Sequence, residues 1–158
     1  MPNPDPRIPI FTPRRVGYWQ YVSKEKVHEI MYENYERGNL IKWKLPEPFP
    51  AREVFIVEDV PAGTTRGGHA HRTCTQILIL LSGELEVSLE DKNGISKHSL
   101  RKNCEAIVIN PLTWGTQRYL TDDTRLLVLC SEEFDESEYI RDYKEFKNVI
   151  QEEEVKKS

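Results

Sequence analysis

Through the middle of the chain, hydrophobic and polar positions alternate in short runs, each closed by turn residues. Glu84-Leu85-Glu86-Val87-Ser88-Leu89-Glu90 alternates without exception, which predicts a strand with one wet face. Ile77-Leu78-Ile79-Leu80-Leu81 is apolar at every position, as in a strand buried on both faces. Further strands are predicted at Leu40 to Lys44, Val54 to Val57, Ile95 to Leu100, Ala106 to Ile109, Trp114 to about Leu120, and Leu126 to Leu129. The turn signals between them are Arg37-Gly38-Asn39, Pro61-Ala62-Gly63, Asp91-Lys92-Asn93-Gly94, Asn110-Pro111 and Thr121 to Thr124. Many short strands with such turns predict a sandwich or a barrel.

The pattern changes to a helical period towards both ends. Ser23 caps a helix expected over roughly 24–35, with Val27, Ile30 and Met31 on one face. Asp135 caps a second, with Tyr139, Ile140, Tyr143 and Phe146 aligned. Ahead of the first helix, Pro2, Pro4, Pro6, Pro9 and Pro13 exclude a helix or an interior strand, so an extended arm lying on a neighbour is expected. The expected division is 1–36 for arm and helix, 37–150 for the barrel domain and 151–158 for a flexible tail.

Composition narrows the function. At 158 residues the chain makes one domain with a sizeable core. A net charge of −4 argues against non-specific nucleic-acid binding. No apolar run approaches the roughly 18–20 residues that span a bilayer. The first residues lack the basic and apolar regions of a signal peptide, so a cytoplasmic protein is expected. Cys74, Cys104 and Cys130 are odd in number and widely spaced, which suggests neither a disulfide framework nor a zinc site.

The candidate chemistry lies in Arg66-Gly67-Gly68-His69-Ala70-His71-Arg72, which holds two of the four histidines. Positions i and i+2 of a strand share a face about 6.5–7 Å apart, so both imidazoles look into one space. The other two, His28 and His98, read as solvated. Metal-binding cupin barrels add a carboxylate and a later histidine to such a pair. Thr75-Gln76 offers no acid, and Pro111 to Thr116 holds no histidine. No metal is therefore expected, and acid–base chemistry by imidazole is the reading.

With these motifs the chain resembles the metal-free cupins that act as sugar-nucleotide 3,4-ketoisomerases, the WxcM-like family, over about residues 33–150. The matching parts are Arg37-Gly38, Arg66 to His71, Pro111-Leu112-Thr113-Trp114, and Ser131 to Tyr143 with Phe146. The resemblance implies a mainly β fold, a cupin (double-stranded β-helix, jelly-roll) barrel, here with an N-terminal and a C-terminal helix. It implies a dTDP-4-keto-6-deoxyhexose as substrate, in deoxysugar and surface-polysaccharide biosynthesis. By the same resemblance His69 is the leading base and His71 the second acid/base, moving a carbonyl from C4 to C3 through an enediol. Arg37 and Arg66 are candidates for the diphosphate. Arg72, Gln76, Trp114 and Arg118 are further candidates for substrate binding. No cofactor is implied, and the expected assembly is a homodimer with exchanged N-terminal segments. Two positions depart from the family: Gly115 stands where a histidine is frequent, and Phe55-Ile56 where tyrosines are usual. They leave open a related epimerase, or a sugar-nucleotide-binding cupin that partners another enzyme.

Overall fold

Period-two patterning with two differently covered faces produces two antiparallel sheets that share one interior. The computed structural model describes residues 29–35, 38–45, 49–102 and 106–157. In chain order the strands are β1 (Glu29–Tyr35), β2 (Gly38–Lys44), β3 (Glu53–Val57), β4 (Thr65–His71), β5 (Gln76–Ser82), β6 (Glu84–Asp91), β7 (Gly94–Arg101), β8 (Ile107–Ile109), β9 (Trp114–Tyr119), β10 (Arg125–Cys130) and β11 (Tyr139–Ile140); helix α1 follows (Tyr143–Lys157). One sheet has the order β3-β10-β5-β8, the other β11-β4-β9-β6-β7, and β1 and β2 form a separate hairpin.

Leu78 and Leu80 of β5, Leu126 and Val128 of β10, and Leu85, Val87 and Leu89 of β6 meet between the sheets. Each such side chain contributes about 1.5–3 kcal/mol by leaving water. Ile77 and Ile79, on the other face of β5, pack with Val108 against Ile41 and Trp43 of β2, Leu45 and Phe49. This double burial is what the unbroken apolar run announces. The outer face of the five-stranded sheet is covered by α1, whose Phe146 and Ile150 pack with Ala70, Ile140 and Trp114. Lys147 adds an ion pair to Glu90 of β6 at 2.8 Å. Among the described residues no helix is long and apolar enough to cross a membrane.

Three expectations are corrected. Residues 29–35, expected to be helical, form β1, because an unbroken register with β2 from Glu29↔Lys44 to Tyr35↔Gly38 satisfies their backbone. The remainder of that stretch, with the proline-rich arm, Arg37 and Cys104, lies outside the described residues. Asp135 does cap, accepting from the Ser137 amide at 3.0 Å, but it opens only a single 3₁₀ turn, Glu136–Glu138. Tyr139 and Ile140 then pair with His71 and Ala70 at the edge of β4. The helix starts at Tyr143, with Asp142 accepting from the Glu145 amide at 2.8 Å, and continues to Lys157 through the stretch expected to be a tail. The histidines end β4, and the apolar run that follows them forms β5 in the opposite sheet.

Candidate active site

β4 is aimed by its two glycines. Its register with β9 shifts between Gly67 and His69, so that Arg66 opposes Gln117 while His69 opposes Gly115. Cross-strand partners share a face. Gln117 and Gly115 also oppose Val87 and Leu89 of β6, which face the interior. The bulge thus turns both Arg66 and His69 inward, although three residues apart they would otherwise point to opposite faces. Gly67 and Gly68 have φ of +88° and +79°, a region that glycine tolerates. A Cβ on Gly67 would lie 2.7 Å from the Gly115 carbonyl oxygen.

His69 and His71 share the interior face, their rings edge to face with centroids 5.1 Å apart. His71 is only 4% exposed. Its Nδ1 bonds to a Glu138 oxygen, and its buried Nε2 has no partner. The other Glu138 oxygen accepts from the amides of Thr73 at 3.0 Å and Cys74 at 3.2 Å. Burial works against charge on Glu138, but these amides and the imidazole outweigh it and hold the carboxyl below its ordinary range. A carboxylate that accepts a hydrogen bond from Nδ1–H keeps the proton on Nδ1 and leaves a lone pair on Nε2.

His69 is half-buried. Burial first, then the neighbouring His71 and Arg141, lower its pKa from 6.5 to about 4. It also hydrogen-bonds to the Gly67 backbone. His69 is therefore a neutral imidazole at neutral pH, with a ring nitrogen ready to accept. The Tyr139 ring lies 5.0 Å from that of His69 and 4.4 Å from that of His71. The Arg141 guanidinium stacks on Tyr139 at 4.4 Å and pairs with Glu136 through two bonds of 2.6 and 2.9 Å.

The other expected site residues divide. Arg66 is exposed on the inward register, and Gln76 is buried with its amide 3.5 Å from Cys130 Sγ. Three do not join the histidines, because strand phase sends them outward. Arg72 pairs with Glu145 of α1 at 2.7 Å. Trp114 packs beneath α1, 5.3 Å from the Tyr143 ring and 5.6 Å from that of Phe146. Arg118 is exposed and opposes Thr65 and Glu86, on the face away from Gln117.

The sequence reading missed Glu138, Tyr139 and Arg141 as site residues. All three lie in the quoted Ser131 to Tyr143 stretch, but a helical reading gives them no reason to face β4. The acid absent at Thr75-Gln76 arrives from there, so His71, Cys74 and Glu138 place three metal-capable atoms within 4.8 Å of one another.

A family model described as FdtA: WxcM-like, C-terminal, matches residues 23–151. The TDP-4-oxo-6-deoxy-alpha-D-glucose-3,4-oxoisomerase of Aneurinibacillus thermoaerophilus is 33% identical over 103 residues, which are 65% of this chain and 74% of that one. The solved structure of QdtA, a sugar 3,4-ketoisomerase from Thermoanaerobacterium thermosaccharolyticum in complex with TDP, is 28% identical with a TM-score of 0.72, covering 78% of this chain and 92% of that one. A 3,4-ketoisomerase from Helicobacter canadensis is 31% identical with a TM-score of 0.71, covering 77% and 93%. The expected mainly β cupin barrel with a C-terminal helix stands; over 29–35 the expected N-terminal helix is strand β1 instead.

Proposed function

The chain belongs to the FdtA, WxcM-like C-terminal, family, and from that premise we propose that it is a sugar-nucleotide 3,4-ketoisomerase acting on a dTDP-4-keto-6-deoxyhexose. The observation that carries this is a neutral, half-buried His69 beside a His71 held by Glu138, both on one interior face.

His69 touches the sugar, being the more accessible of the two imidazoles. It takes the proton from C3 of the 4-keto sugar while the C4 carbonyl oxygen gains a proton, and the electron pair moves into a C3–C4 enediol. A proton is then returned to C4 while the C3 hydroxyl yields its own, which leaves the ketone at C3. His71 exchanges protons with this centre from behind, and Glu138 fixes its tautomer. Arg66 serves the diphosphate with its guanidinium fork. No metal or other cofactor is required by these steps. Product NMR tests the reaction: a carbonyl carbon at C3 supports it. An unchanged C4 ketone with inverted stereocentres means the epimerase alternative, and saturable dTDP binding without turnover means the binding-only one. In the His69→Asn variant the rate should fall by about 10²–10⁴, the range for losing a positioned base.

The protein works in the cytoplasm as a homodimer with exchanged N-terminal segments. β3 forms the edge of its sheet, and Val54 and Ile56 there are 57% and 47% exposed. An apolar edge of that kind favours cover by another chain. Light scattering should give twice the monomer mass; a monomer at micromolar concentration would contradict this assembly.

A further inference from the structure

Beside His71 and Glu138 lies a buried thiol, Cys74, that the isomerase reaction does not use. Cys74 sits three residues after His71, on the loop from β4 to β5, and is buried. Its amide already holds Glu138, whose other oxygen faces His71 Nδ1. The ligand atoms of His71, Cys74 and Glu138 lie within 4.8 Å of one another. The thiol hydrogen-bonds to the buried Cys130 thiol; its Sγ is also 3.5 Å from the Thr75 carbonyl oxygen, and Ser131 Oγ approaches it at 3.9 Å.

We infer that His71, Cys74 and Glu138 form an inhibitory site for a thiophilic divalent cation of the zinc class. One nitrogen, one sulfur and one oxygen suit Zn²⁺, whose sites with three protein ligands leave a fourth position open. A thiolate disfavours Mg²⁺ or Ca²⁺. The ligands come from two chain segments already tied together by the Thr73 and Cys74 amides, so modest closure brings them to bonding distance. The protons balance. The metal replaces the proton between Nδ1 and the carboxylate, that proton passes to the unpartnered Nε2, and the thiol proton leaves to solvent. His71 then has no lone pair left for the sugar, and isomerisation stops. The inhibitory half of this inference rests on the proposed isomerase activity; the binding half does not.

The test titrates the purified full-length protein, stripped with chelator, with Co²⁺ as a spectroscopic probe and with Zn²⁺. One equivalent of Co²⁺ should give a thiolate-to-metal charge-transfer band, absent in Cys74→Ala and retained in Cys130→Ala. Zinc affinity should fall at least about tenfold in Cys74→Ala, the loss that disturbing a ligand shell brings. Cys74→Ser should behave likewise and serves if the alanine variant does not fold. Absence of the band in the wild type, or its persistence without Cys74, overturns the site. Zinc should also inhibit the wild-type isomerase in proportion to occupancy, reversibly with chelator. A band with full activity at saturating zinc overturns inhibition and leaves the site standing. A band in a protein that never turns over the ketosugar overturns the isomerase reading instead.

Discussion

His69 and His71 are two residues apart and have unlike surroundings. His69 is kept neutral by burial, by His71 and by Arg141, so the acid limb of kcat/KM should fall near pH 4 rather than near 6.5. Removing the cation in Arg141→Gln should move that limb to higher pH; an unmoved limb would mean that Arg141 does not act on His69. His71 depends on its carboxylate. Glu138→Gln presents an amide to Nδ1 and favours the wrong tautomer, so kcat should drop about 10²-fold or more with KM little changed. A change in melting temperature alone, with kcat intact, would reduce Glu138 to a structural role. Gly115 opposes His69, and a Cβ there meets only Leu89 at 3.5 Å and Ile109 at 3.7 Å, so the missing side chain leaves room beside the base. The histidine pair was legible in the sequence because period two is local. The partners of the pair were not, because Glu138 and Arg141 reach it through tertiary pairing.

At the scale of elements, strands announced by alternation or by unbroken apolar runs stand where expected. Residues 29–35 and Tyr139–Ile140, both expected to be helical, form strands for one reason. A stripe such as Tyr139, Ile140, Tyr143 and Phe146 fits a helix, yet Tyr139 and Ile140 have the free edge of β4 to pair with. Trp114 and Arg118 show the same limit, since strand phase relative to the interior becomes readable only once register is known. The β4 bulge is the element on which the site turns. Gly67→Ala should cost about 1–3 kcal/mol for its positive φ alone, and more for the close Gly115 oxygen, read as a lower urea midpoint. Stability equal to wild type would mean that the bulge relaxes at no cost and that Arg66 is not held inward.

The whole molecule should record the state of His69 in its stability. The folded pKa of about 4 lies below the unfolded value of 6.5, so between these limits the unfolded chain binds more protons. Stability from this group is therefore complete above about pH 6.5 and is lost as pH falls towards 4, a loss that His69→Asn should lessen in urea melts. In the proposed reaction the barrel sets the charge of one imidazole and the tautomer of the other through burial and strand pairing, and the proton transfer itself falls to the two side chains. Solvent exchange reads that transfer directly. With a dTDP-4-keto-6-deoxyhexose in heavy water, the wild type should introduce deuterium at the carbons that exchange protons in the enediol step, and His69→Asn should not. Exchange at the wild-type rate in the variant, or none in the wild type under conditions where the nucleotide binds, would contradict the account.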